Sequence, residues 1–285
     1  MHHSSKIGID TWFNLLCSSL TDHSITTPHG DLLPAFPSED LQRNTTSLSG
    51  EAALRQACGF YSDISGVLDD SNSPIQPDWE ILDFGSCWGR ICRFFLRDVP
   101  LKNIRGIDVD QRFVGTCKEL FNSENFAVCS ALPPSECKNS SVNLITAYSV
   151  FSHLSEAAFR AWMVEFYRIL KDDGVVAFTT RNPAFLDYCA YLRGRDDLSG
   201  YTKALSEMIP DIADAKDRYG SGEFIFVTEK GLGGGGAMDG SFYGEAFIPE
   251  AYVKRTLSDL FEILDFKTIG NGYDQALFVL KRMPH

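Results

Sequence analysis

No stretch of the chain approaches the run of about 20 apolar residues that spans a bilayer. Its first ten residues, MHHSSKIGID, carry neither the basic nor the apolar region of a secretory signal. A cytoplasmic location is expected. Cysteine pairing is also missing: the thiols at 17, 58, 87, 92, 117, 129, 137 and 189 include no C-x-x-C and have no histidine at zinc-finger spacing. No structural metal is expected, and in a reducing compartment most of these cysteines act as small buried hydrophobes. Basic residues are scarce, with 26 Lys and Arg against 38 Asp and Glu and a net charge of -12. That field repels phosphate backbones and anionic lipid heads, so neither nucleic acid nor a membrane is an expected partner.

What the 285 residues do hold is an ordinary globular composition, 44% hydrophobic and 22% charged. The length suits two domains, or one domain with a large insertion. Trp12, Phe13, Leu15 and Leu16 suggest a short helix, followed by an irregular arm containing Pro28, Pro34 and Pro37. Apolar positions at Leu54, Ala57, Phe60, Ile64 and Val67 predict a helix over 49–68. Strands are then expected at 80–84, 104–109, 126–129, 142–147 and 175–180, with helices at 90–97, 112–121 and 156–170 among them. Such alternation implies right-handed crossovers and a parallel sheet covered on both faces, an open doubly wound α/β fold.

After Thr180 the rhythm breaks. Helical stretches at 184–192 and 199–217 precede strand-like pieces at 223–228 and 242–247, an α+β insertion. Between those pieces lies the glycine-rich run 231–240, read as a mobile connection in preference to a phosphate loop. A helix at 249–260 and strands at 261–269 and 274–281 close the chain. Gly270-Asn271-Gly272 between them is a hairpin signal, so the last strand would run antiparallel. The expected parts are an N-terminal arm and lid at 1–48, a core at 49–181, a substrate-binding insertion at 182–247, and a closing segment at 248–285.

Ligands of open α/β sheets sit beyond the carboxyl ends of the strands. At the first end, Asp83-Phe84-Gly85-Ser86-Cys87-Trp88-Gly89-Arg90 joins strand to helix through two glycines, which let a ligand approach where a Cβ would collide. A dinucleotide fingerprint would need glycine where Cys87 and Arg90 stand, so a nicotinamide oxidoreductase is disfavoured. Asp83 suits a cationic or amine-bearing ligand. At the second end, Asp108 can accept both hydroxyls of a ribose, whereas Asp110 reads better as a helix N-cap.

In this order and spacing, ILDFGSCWGR, GIDVD, AYSVFSHLSE, WMVEFYRILKDDG and VVAFTTR resemble the class I S-adenosylmethionine-dependent methyltransferases. They look similar to a bacterial subgroup whose fourth strand runs into Ser-Val-Phe-(Ser/Thr)-His-Leu. The resemblance covers about residues 50–185, and more loosely 245–282. It implies a Rossmann-like seven-stranded sheet with its last strand antiparallel, and S-adenosylmethionine as cofactor. By position, Asp83, Gly85, Ser86, Cys87 and Gly89 would frame the methionine end, Asp108 would hold the ribose, and Val109 would pack against adenine. Ser130, Ala131 and Ser149 would complete the cofactor site. Two departures stand out: the usual middle glycine of the turn is Cys87, and an acid often facing the adenine amine is Ser130.

His153 would then face the acceptor, either as a general base or as a residue that caps or fixes its loop. Tyr148, Arg181 and Tyr243 are candidate acceptor contacts; Arg181 suits an acceptor carboxylate or phosphate, or else a salt bridge. The expected reaction is methylation of a small polar acceptor, oxygen before nitrogen, with a carbohydrate-related or glycan molecule suggested by the subgroup. A non-catalytic binding protein on the same sheet is the other alternative.

Overall fold

The computed structural model describes residues 7–228, 232, 234 and 236–284. These form two compact units, the first comprising Met1–Cys129, Val142–Thr146 and Asn271–Tyr273, the second Ser130–Ser141, Ala147–Gly270 and Asp274–His285.

In the first unit, helices α1 (Ile9–Ser18), α2 (Glu39–Thr46) and α3 (Gly50–Asp70) precede strand β1 (Ile81–Phe84). The predicted apolar stripe of α3 is buried at Leu54, Ala57, Phe60 and Ile64, and extends to Leu68. After β1 come α4 (Cys92–Phe95), β2 (Ile104–Asp108), α5 (Gln111–Phe121), β3 (Phe126–Val128) and then β4 (Val142–Ala147). β1 pairs in parallel with β2 and β4, and β2 with β3. Asp110 caps α5 as expected, its side chain accepting the Arg112 N–H.

The helix expected over 90–97 shrinks to the single turn α4, continued by three-residue bonds such as Arg97 N–H to the Phe94 carbonyl. Every residue from Trp88 to Leu96 is buried. Arg90, Arg93 and Arg97 fall at helical spacing, but Arg90 and Arg93 are buried with the apolar residues, and packing on all sides overrides the helical repeat. Arg93 lies in this segment, wholly buried, its two terminal nitrogens donating to the carbonyls of Pro34 and Ala35 at 2.7 Å each. The Phe36 ring lies 4.3 Å from the guanidinium carbon. Burial brings the Arg93 pKa down to about 9.

The second unit holds α6 (Glu156–Ile169) and β5 (Leu170–Thr180). The insertion follows: α7 (Pro183–Leu192), α8 (Gly200–Glu207), α9 (Ile212–Gly220), β6 (Ile225–Val227) and β7 (Glu245–Phe247). Helix α10 (Glu250–Leu257) and strands β8 (Phe261–Lys267) and β9 (Ala276–Arg282) complete it. The stretch expected as one helix over 199–217 is two, because Pro210 has no N–H to donate and its ring blocks continuation. β6 and β7 pair antiparallel. Leu186, Cys189, Ala204, Leu205, Met208, Ala215, Ile225 and Phe247 pack into one apolar cluster of the insertion. Of the glycine-rich run 231–240, Gly231, Gly233 and Gly235 lie outside the described residues, and so does the expected mobility there.

β9 is antiparallel to both β5 and β8. The strand order of the sheet is β3-β2-β1-β4-β5-β9-β8. This is the expected seven-stranded, Rossmann-like α/β sheet with its last strand reversed.

Candidate active site

The turn after β1 is built from left-handed backbone. Gly85 and Gly89 have φ of 73° and 75°, and Cys87, at the departure from glycine, still adopts φ of 49°. A side chain at Gly89 would place its Cβ 2.3 Å from the Phe121 ring, so glycine is required there for close packing as well as for backbone geometry. Gly85 and Ser86 donate their N–H groups to the Ile107 carbonyl at 2.8 and 3.1 Å, fastening the turn to β2. Cys87 N–H donates to Asp108 Oδ2 at 2.9 Å, and Asp110 N–H to Asp108 Oδ1 at the same distance.

Asp108 is buried, and that burial raises its pKa. Each oxygen accepts a backbone N–H, from Cys87 and Asp110, and a carboxylate offers about four acceptor positions, so Asp108 can also accept from a vicinal diol. Asp83 is turned inward: Oδ1 accepts the Thr146 hydroxyl at 2.8 Å and Oδ2 the Cys92 thiol at 3.3 Å. Burial pushes its pKa up to about 7 despite those two hydrogen bonds. Asp83, Gly85, Ser86, Cys87, Gly89, Asp108 and Val109 are thus gathered at the carboxyl ends of β1 and β2. The left-handed turn lies at the strand ends beside Asp108, whose carboxylate suits a ribose, so these residues fit S-adenosylmethionine.

The other candidates lie in the second unit. Ser130 is exposed, and the neighbouring Ala131 carbonyl accepts the Trp162 indole N–H at 2.9 Å. Tyr148 is buried beside Ser149, a left-handed residue with φ of 58°. The Ser149 N–H donates to Thr179 Oγ1 at 2.7 Å, and its hydroxyl accepts from Gln275 Nε2 at 2.8 Å.

His153, Arg181 and Tyr243 come together around Glu245, an acid that the sequence reading passed over. Residues 152–155 run alongside the chain entering β7: Ser155 N–H donates to Phe242 O, Gly244 N–H to His153 O, and Ala246 N–H to Ser152 O, each at 2.8 Å. Ser155, and not His153, caps α6. His153 Nδ1 lies 2.8 Å from the Gly244 carbonyl and 3.3 Å from Glu245 Oε1, while its ring stacks on Tyr243 at 4.9 Å and 5°. Glu245, fully buried, accepts Arg181 Nε at 2.7 Å on Oε2 and the Tyr201 hydroxyl at 2.5 Å on Oε1. Arg181 Nη2 also donates to the Tyr201 oxygen at 3.1 Å. Burial alone would raise the Glu245 pKa, but His153 and Arg181 outweigh it and hold it at about 2. The salt-bridge alternative for Arg181 is therefore present. A glutamate inside the apolar run Phe242–Phe247 was the one available signal for Glu245; Tyr201 offered none.

Residues 81–174 match the family model described as a methyltransferase domain. No curated protein matches the chain. A Listeria monocytogenes protein assigned as an S-adenosylmethionine-dependent methyltransferase is 15% identical, with a TM-score of 0.52 over 80% of this chain and 100% of that one. This likeness shows the fold. A Clostridium acetobutylicum S-adenosylmethionine-dependent methyltransferase, 15% identical, gives 0.49 over 79% and 92%. Magnesium protoporphyrin IX methyltransferase from Synechocystis, solved with S-adenosylhomocysteine, is 14% identical and gives 0.45 over 81% and 86%.

Residues 81–174 therefore match a methyltransferase domain, on a fold shared with a protein assigned as an S-adenosylmethionine-dependent methyltransferase. Among the described residues no helix is long and apolar enough to cross a membrane.

Proposed function

We propose that the protein methylates a hydroxyl of a small, carbohydrate-related acceptor in the cytoplasm, with His153 as general base. The observation that supports this reading is the Nδ1 contact with the Gly244 carbonyl. A carbonyl oxygen can only accept, so Nδ1 carries a proton, and in the neutral ring the lone pair lies on Nε2. The cofactor, when bound, supplies an electrophilic methyl group on sulfonium. Asp108 would hold the ribose, and Asp83 with the turn from Gly85 through Ser86 and Cys87 to Gly89 would frame the methionine end. Val109, Ser130, Ala131 and Ser149 complete the cofactor contacts. Nε2 of His153 would take the proton that the acceptor hydroxyl loses as its oxygen receives the methyl group, the methyl–sulfur bond breaking to leave a neutral thioether. Tyr148, Arg181 and Tyr243 contribute to acceptor recognition, within the insertion 182–247 and beside it. Neither a nucleic acid nor a membrane lipid is the acceptor, in keeping with the net charge of -12. The Ser149-Val150-Phe151-Ser152-His153-Leu154 run supports placing the chain in the bacterial subgroup that it resembles.

The test is a mass-spectrometric screen of sugars, nucleotide sugars and small hydroxy acids with S-adenosylmethionine, scored for a methylated product and S-adenosylhomocysteine. His153→Ala is expected to keep cofactor affinity and lose roughly 10²–10⁴ in turnover. Methylation confined to amines and indifferent to this variant would overturn the reading, as would a protein that binds NADH and ignores S-adenosylhomocysteine.

A further inference from the structure

Glu245 gathers donors from three separate parts of the second unit: His153 from the segment before α6, Arg181 from the end of β5, and Tyr201 from α8. An ion pair serving stability alone would be complete with Arg181. Instead, the oxygen not used by Arg181 is divided between the Tyr201 hydroxyl, at 2.5 Å, and the imidazole Nδ1, at 3.3 Å. The imidazole is fixed in its plane by the Gly244 carbonyl and by Glu245, both on Nδ1, and fixed in tilt by the Tyr243 ring.

We infer that Glu245 is a positioning residue that sets the tautomer and proton affinity of His153, and that Tyr201 tunes this effect by sharing Glu245 Oε1. The inference rests on the reading of His153 as general base. A proton arriving on Nε2 makes the ring a cation, which the Glu245 carboxylate favours and the Arg181 guanidinium opposes. Arg181 thereby offsets the pull of the acid on the ring. The Tyr201 hydroxyl bond disperses charge on the very oxygen that faces Nδ1, which weakens the pull further. The other titratable groups facing the cluster are Tyr243, Cys189 from α7 beside Glu245 and Arg181, and Asp274 beside Arg181. Since α8 belongs to the insertion, Tyr201 makes the base sensitive to how that helix is seated.

Two variants should act in opposite directions. Tyr201→Phe frees Oε1 for the imidazole, and should raise the proton affinity of His153 by roughly half to one pH unit, the worth of one hydrogen bond. Glu245→Gln removes the charge and should lower it. The experiment follows the His153 ring resonances by NMR across pH, with the signal assigned by its loss in His153→Gln. Alongside it, the acidic limb of the kcat–pH profile is measured as S-adenosylhomocysteine release. The expected result is that both readouts move up in Tyr201→Phe and down in Glu245→Gln. Should Glu245→Gln fail to fold, Tyr201→Phe carries the test, because it keeps the ion pair. A ring titration unchanged in Tyr201→Phe overturns the inference. A ring titration that moves while the kcat limb stays fixed upholds the tuning by Glu245 and overturns His153 as the base.

Discussion

Asp108 and Cys87 are joined by a 2.9 Å bond from the Cys87 backbone N–H to Asp108 Oδ2. It ties the end of β2 to the left-handed centre of the glycine turn, so one carboxylate shapes the cradle and also offers the oxygens that would meet the ribose.

Asp108→Ala should therefore show two effects. Affinity for S-adenosylhomocysteine should fall on the order of 10- to 150-fold, the loss of about 1.5–3 kcal/mol of hydrogen bonding to a charged group. In the wild type, ligand at 100 times its Kd should stabilise the fold by about 2.7 kcal/mol, and the variant should lose most of that shift at the same concentration. Calorimetric titration and melting curves measure both. Affinity that survives here and collapses in Asp110→Ala would assign the ribose to the wrong acid.

Cys87 occupies a left-handed conformation that glycine adopts without a steric penalty. Cys87→Gly should leave stability within about 1 kcal/mol of wild type, because relief at φ of 49° is offset by a freer unfolded chain. Cys87→Val, β-branched, should cost about 1–3 kcal/mol. Urea unfolding of the pair decides it, and equal stability of Gly and Val variants would refute strain at this position.

Burial raises the Asp83 pKa to about 7, so between its ordinary value near 3.8 and that point the native state holds a proton that the unfolded chain has released. Stability from this group is greatest at low pH and declines as pH rises through that window, levelling off above 7. Asp83→Asn has no such proton to lose, and its stability relative to wild type should improve steadily from pH 4 to pH 7. The cumulative change should be on the order of a few kcal/mol. Unfolding free energies for both proteins over that range are the measurement; a constant gap would show that Asp83 is ionised throughout.

Glu245 behaves oppositely, since its folded pKa lies at about 2, below the ordinary 4.5. Its contribution is present above the upper value and lost as pH falls towards the lower one. Removing one member of this buried pair should be costly: Glu245→Leu leaves the Arg181 cation stranded, at about 3–5 kcal/mol. Glu245→Leu combined with Arg181→Met should regain most of that loss. A double variant no more stable than the single one would show that the other partners of Glu245, and not the ion pair, dominate.

Gly244 lies where an added Cβ would come 2.2 Å from the Val227 carbonyl. Gly244→Ala should push β6 away from β7, lower the melting temperature, and reduce turnover together with it, because the carbonyl of the same residue accepts the hydrogen bond of His153 Nδ1. Circular dichroism melts alongside activity would reveal a variant that melts normally, the result that counts against this packing.

Much of the sheet could be read from the chain because its central strands are buried on both faces, and runs such as Ile81–Phe84 and Val142–Ala147 are correspondingly rich in apolar residues. The reversed last strand was legible from Gly270-Asn271-Gly272. The segment 90–97 was misread because Arg90, Arg93 and Arg97 fall at helical spacing and imitate a polar face, whereas Arg90 and Arg93 are in fact buried. In 199–217, Pro210 was a visible breaker that the apolar spacing obscured. At the site, glycines and strand-end acids could be picked out since their roles depend on local backbone. The meaning of Glu245 depends on three partners distant in sequence, and Tyr201, on a helix of the insertion, carried no local signal of its role.

Arg93 carries a practical consequence for anyone shortening this protein. Its charge is neutralised by no carboxylate among its hydrogen-bond partners and is solvated in place of water by the carbonyls of Pro34 and Ala35. Those two peptides act as an internal solvent shell for a cation beside the turn that begins at Gly85. A start codon placed after residue 37 would strip that shell and leave a bare guanidinium in an apolar interior, so a minimal version should begin upstream of Pro34.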